Sequence, residues 1–324
     1  VIGAAGHLLV QAPALRGAGM RWSPSLGLGS KAVHDVLRLM GPRVLGLAAT
    51  QVNFLVIVFF ASFVSDQAIS AMNYAFLMMM LPVGVIGMAI STAVFPTMAQ
   101  QAAASELALL RASLSRALRI ILFLSIPASA GLIVLAAPVV RVLLERGAFD
   151  ADSTALVVGA LVIYGLGIFA HSGVEILSRG FYALSDTRTP VAIAVVAMAM
   201  NVAFAALLLS PFGVRGLAGA ASLSATLEFL LLLRLLDVRL GGLERRALRR
   251  TVGGTVLGSI VMAEAVVLAL LLLRAAGVEG TGTWASLLQL AVGGGLGLLT
   301  FLAAAYRLNR DDFDLIARRF IRPR

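Results

Sequence analysis

Eight apolar runs constrain this chain more than any single motif does. They cover about 44–63, 69–99, 118–140, 154–178, 190–211, 214–236, 251–273 and 284–306. A helix needs about 20 residues to cross a hydrocarbon core of about 30 Å. Lipid offers no partner to backbone N–H and C=O groups, so runs of this length fold as helices that satisfy their own hydrogen bonds. Composition agrees. The 324 residues are 60% hydrophobic and 13% charged, against about a quarter charged in a soluble domain. Too little polar side chain is present to coat a water-soluble globule. The predicted fold class is an all-α polytopic membrane protein with about eight transmembrane helices. The second run is long and carries Pro82 and Pro96. Neighbouring helices can repair the hydrogen bond a proline removes, and Pro96 reads as the cytoplasmic end. Residues 1–15 resemble the exit end of a further spanning helix, and no cleavable signal pattern is visible. The expectation is of a fragment lacking its N-terminal part. Residues 31–43 read as an amphipathic helix lying on the membrane.

The net charge is +10, from 26 Lys+Arg and 16 Asp+Glu. A basic chain can bind nucleic acid, but these cations sit between apolar runs and not along one soluble face, so no nucleic-acid partner is expected. With the first linker cytoplasmic, 22 Arg and Lys residues fall inside and four outside (Arg141, Arg146, Arg215 and Arg274). That asymmetry predicts a cytoplasmic C-terminus. Residues 307–324 read as an amphipathic tail on the anionic inner leaflet, with Phe313, Ile316, Phe320 and Ile321 on one face. Cysteine is absent and the three histidines, His7, His34 and His171, are scattered. No thiolate site, histidine metal cluster, phosphate loop or nucleophile–base set is visible. The expectation is a protein that is not an enzyme and uses no cofactor.

Ionisable groups inside apolar runs are costly and mark functional candidates. Glu175 and Arg179 lie one helical turn apart and can pair, and His171 continues their stripe. They read either as a polar wall of a substrate cavity or as a self-neutralising pair near the membrane surface. Glu228 and Glu264 lack a basic neighbour in their own runs, and each reads first as an interhelical hydrogen-bond partner. Gln51, Asn53, Asn73 and Asn201 are amides at depth, which glue helices or line a polar path, and Tyr74 can offer a hydroxyl beside Asn73. Two loops break the apolar pattern. In the outer one, Gly147 follows Arg146 and turns the chain, and Asp150 or Asp152 caps the next helix. In the inner one, Asp186 and Arg188 precede Thr189 as the expected N-cap and Pro190 in the first helical turn. Both loops fix helix pairs and are candidate hinges.

These loops also carry a family resemblance. ERGAF at 145–149 and FYALSDTRTP at 181–190, with QVN at 51–53 leading to FAS at 60–62, and NYAFLMMMLPVGVIGMAISTAVFPTMA at 73–99, resemble the MurJ/MviN lipid II flippases. The match falls on the later part of that family, about the last eight of about fourteen helices. The resemblance implies the second lobe of a two-lobed flippase at 44–236, preceded by a truncated helix and linker at 1–43. An extra C-terminal helix pair at 237–306 and a tail at 307–324 come after it. It further implies a bacterial plasma (inner) membrane location and transport of lipid II, or a similar polyprenyl-pyrophosphate-linked substrate, by alternating access for cell wall synthesis. Partners would be membrane lipids and the missing N-terminal lobe. A related exporter of another polyprenyl-linked oligosaccharide, or a membrane partner that does not transport, are the competing readings. Departures are visible. Leu77 stands where many members have a cavity-facing Arg. Ile57 and Ala205 stand where sodium-binding members have acids, leaving Asn201 as a weak remnant of that site and no confident metal site. Arg179 and Arg43 are the best remaining cations.

Overall fold

The computed structural model describes residues 55–147, 149–278, 282–310 and 312–313, with Gly6 alone before them. Two units divide it, Val1–Ala48 and Ala49–Arg324. Apart from Gly6 the first unit lies outside the described residues. The expectations for 1–15, 31–43 and Arg43 fall there, and Gln51, Asn53 and 314–324 are likewise outside. All described residues but Gly6 belong to the second unit.

These residues form helices and no strand. A helical stretch over 55–62 ends at Ser65, whose hydroxyl accepts from the Ala68 N–H (3.1 Å) and caps α1, Asp66–Pro82. Pro82 has no N–H to donate, and directly after it the helix widens into a π-helical turn, Val83–Met88, before continuing as α2, Ala89–Ala103. Pro96 therefore lies inside α2 and does not mark its end, because the flanking turns continue the helix past it. Next come α3, Leu107–Val134, and, across Leu135, the short α4, Ala136–Leu144. Helices α5, Ala151–Gly165, and α6, Ile168–Ala183, meet at a bend of 48°. Then come α7, Arg188–Arg239, α8, Arg245–Ala275, and α9, Thr283–Leu308.

Among the described residues five helices are long and apolar enough to cross a membrane, or six if the bent pair is one span. The eight runs read from sequence are recovered unevenly. At about 1.5 Å per residue α7 would be far longer than a bilayer is thick. It is broken at Gly213 (φ 54, ψ −129), a conformation that a Cβ would strain. The two arms, 188–212 and 214–239, correspond to the runs at 190–211 and 214–236. Past the break the arms touch closely: a Cβ on Gly216 would strike the Leu208 carbonyl. The run at 118–140 starts too late, since α3 begins at Leu107, and it crosses the break at Leu135. The run at 44–63 is described only from Leu55 onward.

Among the described residues packing forms three clusters. Met72, Met79, Leu161, Tyr164 and Leu217 centre the first, between α1, α5 and α7. Leu118, Ile121, Ile176, Phe181 and Leu232 centre the second, between α3, α6 and the second arm of α7. Phe123, Met262, Val266 and Phe301 join α3 to α8 and α9. Small residues allow close approach, as expected where lipid removes any hydrophobic gain from association. A Cβ on Gly167 would lie 3.0 Å from Ser222 Oγ and one on Gly180 2.7 Å from Leu236 Cδ2, while one on Gly173 would meet the Phe229 ring. The two registers advance together, so α6 and the second arm of α7 run parallel.

Candidate functional site

The polar stripe expected on α6 exists. His171, Glu175 and Arg179 follow one another at single-turn spacing. Arg179 Nη1 donates to Glu175 Oε2 (2.5 Å) and to the Glu175 carbonyl (2.9 Å). Its Nη2 reaches another helix and donates to Thr92 Oγ1 of α2 (3.2 Å). The paired side chains are 24% and 25% exposed, so they form a half-open site, neither sealed nor fully solvated. Glu228, on the second arm of α7, lies within electrostatic reach of Glu175, and Tyr182 lies within reach of Glu175, Arg179 and Glu228. Three elements thus bring one guanidinium, two carboxylates and two hydroxyls together. His171 Nε2 is buried and has no hydrogen-bond partner among the described residues.

Such a cluster can bind an anionic group through Arg179 if Glu175 releases it. Among the described residues no base lies within hydrogen-bond distance of the Thr92 or Tyr182 hydroxyl. Two expectations need correction. Glu228 and Glu264 were each expected to hydrogen-bond across helices, and neither does so among the described residues. Glu228 faces a second carboxylate, which offers it no donor. Glu264 is exposed on α8 beside Ile260, Ala263, Val267, Leu268 and Leu271, a wholly apolar setting.

Asn73 and Tyr74 lie on α1, apart from this cluster. Tyr74 is half-exposed and meets Phe149 edge-on, ring centroids 6.0 Å apart, and Asn73 is half-buried. No hydrogen bond joins either to the α6 residues among the described residues. Leu77, a turn further along, is 61% exposed. Asn201 is buried, and Ala205 and Ile57 pack in or against the first apolar cluster. Neither Ile57 nor Ala205 carries a side-chain oxygen.

The two loops are tightly capped. Arg146 donates to the Leu143 carbonyl (2.8 Å), covering the C-terminus of α4. Gly147 turns with φ +64, and Asp150 Oδ1 accepts the Ser153 N–H (2.9 Å) to start α5. That amide also holds the Asp150 carboxyl below its ordinary value. In the inner loop Asp186, not Thr189, takes the capping role. A carboxylate can accept several N–H groups at once: Asp186 accepts from the Arg188 N–H (3.1 Å), the Thr189 N–H (3.0 Å) and the Thr189 hydroxyl (2.7 Å). Arg239 pairs with it from the far end of α7. The Thr189 bonds, with Arg239 behind them, hold the Asp186 carboxyl down at about 2. Arg188 is exposed, and Pro190 is buried in the first turn.

One polar cluster was missed. Arg119, counted as a loop cation, lies inside α3 and pairs with Asp312 beyond α9. Its Nε donates to Thr251 Oγ1 of α8 (3.1 Å), and that hydroxyl donates to Asp312 Oδ2 (2.6 Å). Asn309 Nδ2 donates to the Thr251 carbonyl (3.0 Å) and to Thr255 Oγ1 (2.8 Å). An arginine just inside an apolar run was the available signal.

Bent, small-residue-packed membrane helices that carry a half-open charged cluster define the class: an integral-membrane protein with a transporter fold. Its fold is similar to a multidrug resistance MATE family transporter of the MOP superfamily in an outward-facing conformation (TM-score 0.53, 17% identity, 83% of this chain and 62% of that one). It is more similar to a lipid II flippase MurJ in an inward closed conformation (TM-score 0.73, 23% identity, 90% of this chain and 57% of that one). The family model described as lipid II flippase MurJ matches residues 1–288, and the chain belongs to that family. Among curated relatives, a probable lipid II flippase MurJ of Haemophilus influenzae is 33% identical over 234 residues, 70% of this chain and 46% of the relative. One of Rhizobium meliloti is 35% identical over 219 residues, 68% and 41% respectively. The chain therefore spans about half the length of the curated relatives it matches.

Proposed function

We propose that this chain is the C-terminal part of a flippase that moves lipid II from the inner to the outer leaflet of the bacterial inner membrane. The supporting observation is that the α6 cluster belongs to a chain of the MurJ family. Lipid II carries a pyrophosphate and sugars on a polyprenyl tail. Its headgroup needs a wet cationic path, and its tail can stay in lipid. Arg179 is the half-open cation suited to the pyrophosphate, with Glu175 as the counter-ion that holds it when no substrate is bound. Residues 44–236 would be the second lobe, 237–306 an added helix pair and 307–324 a cytoplasmic tail. The remaining length of the relatives would supply the first lobe. Rocking of the lobes would expose the site alternately to each side. Arg119, Glu244 and Asp312 meet at one end of the bundle, which is consistent with their three segments sharing one side, and the cation asymmetry favours the cytoplasm for it.

The test is complementation. Cells depleted of their own flippase should grow when given the full-length protein and should regain outer-leaflet lipid II. Arg179→Ala should lower flipping by about tenfold, the loss of one charge-assisted hydrogen bond of about 1.5 kcal/mol or more. A well-expressed full-length protein that restores nothing refutes the reading. Full activity of Arg179→Ala at normal abundance removes Arg179 from the path.

A further inference from the structure

The third apolar cluster poses a physical problem. Helix α8 packs on α3, and α9 packs on α8 and on α4, through apolar and small residues. Gly131 faces Met262, the Phe123 and Phe301 rings meet at 5.4 Å, and a Cβ on Gly293 would lie 2.9 Å from Leu135 Cδ2. In lipid such a face gains nothing from leaving the acyl chains, which are as apolar as α3. Shape alone sets the register, and shape of this kind tolerates sliding. At one end of the same interface sits the polar group of Arg119, Thr251, Asn309 and Asp312, joining residues up to 193 positions apart. Asp312, Asn309, Thr251 and Thr255 are each at most 3% exposed. Thr251 gives its one hydroxyl proton to Asp312 and takes one from Arg119, while Asn309 Oδ1 is buried with no hydrogen-bond partner among the described residues. Buried ionic groups of this kind are best attested as devices that fix register.

We propose that Asn309 and Asp312 form a latch that fixes the α8–α9 pair to α3, so that the pair is carried by α3 as one body. The bond pattern explains why the latch lies after α9. Asn309 ends α9 and turns back across α8 to Thr251 and Thr255, and Asp312 then passes beneath α8 to Arg119. One segment thereby holds all three helices. The Asn309 carboxamide fills the notch left by Gly254, where a Cβ would collide with it. Glu244, 3.9 Å from Arg119 and 49% exposed, is too distant and too hydrated to replace Asp312.

The chain has no cysteine, so two introduced cysteines form a defined pair. In the full-length protein, Gly131→Cys with Met262→Cys, remote from the latch on the α3–α8 contact, is bridged with a short reducible bis-thiosulfonate reagent in membranes. Bridging should be fast with the latch intact. In Asp312→Ala and in Arg119→Ala it should slow by about a hundredfold or more, the ratio expected when one partner of a buried pair is lost. Asp312→Asn keeps acceptor oxygen and shape and should slow it by less. A Gly84→Cys reporter on the π-helical turn, where a Cβ meets nothing within 4 Å, should label at the same rate in every variant, which distinguishes local release from unfolding. Unchanged bridging in Asp312→Ala overturns the proposal. So does a change in Gly84→Cys labelling that matches the loss of bridging, since the residues would then support the whole fold and not this contact.

Discussion

The π-helical turn between α1 and α2 contains two glycines that the structure treats very differently, and this gives an internally controlled prediction. A Cβ on Gly84 meets nothing within 4 Å. A Cβ on Gly87 would lie 2.8 Å from Ser172 Cα, 3.1 Å from its Cβ and 3.2 Å from its carbonyl oxygen. Those atoms belong to the backbone and stem of α6, so no rotamer change relieves the contact. Both replacements by Ala gain the same helical propensity, up to about 1 kcal/mol, and that gain cancels in the comparison. What remains is overpacking, typically about 1–3 kcal/mol. Gly87→Ala should therefore be about 1–3 kcal/mol less stable than Gly84→Ala. The assay is unfolding of the detergent-purified full-length protein by SDS titration, followed by circular dichroism. Values for the two variants within about 0.5 kcal/mol, the scatter of a neutral substitution, would refute the claim that α6 is seated directly on the π-helical turn.

The inner loop and α1 supply two more tests. Loss of the Asp186 cap in Asp186→Ala should cost about 0.5–2 kcal/mol. Because the Thr189 bonds and Arg239 hold the folded carboxyl at about 2, below its unfolded value of about 3.9, this contribution is complete above the unfolded value and is lost as pH falls toward 2. The wild type should thus lose melting temperature on acidification over that window more steeply than Asp186→Ala, and parallel curves would exclude the capping account. Leu77 is 61% exposed, so Leu77→Arg meets no packed neighbour. If α1 faces a wet path, its abundance should equal wild type; if that face meets lipid, an insertion cost of about 2.5–3.5 kcal/mol should deplete it in a membrane-fraction immunoblot.

Which features could be read from the sequence depended on their range. Length and hydropathy act locally, so the apolar runs mark the helices well. They fail where a break is geometric: Gly213 divides α7, and Leu135 ends α3 inside a run that looks continuous. The Glu175–Arg179 pair was legible because its partners are one turn apart. Thr92, 87 positions away, was not, and it is what ties Arg179 to α2. The loops show the same distinction at smaller scale. Thr189 looks like a cap by residue type, yet Asp186 wins because a carboxylate accepts three donors where a hydroxyl serves one or two. The pairing of Arg119 with Asp312 was not legible for a deeper reason. The positive-inside pattern counts cations near helix ends without asking which are buried, and an arginine that neutralises a carboxylate from another helix looks, in sequence, like any loop arginine. The same pair carries charges that bulk hydropathy assigns to the surface, while each is largely withdrawn from it, at 15% and 4% side-chain exposure. Apolar helices in lipid can exchange neighbours at little cost in solvation. In such a chain the few polar residues that meet across helices determine which helices stay together, and those are the contacts that periodicity cannot report.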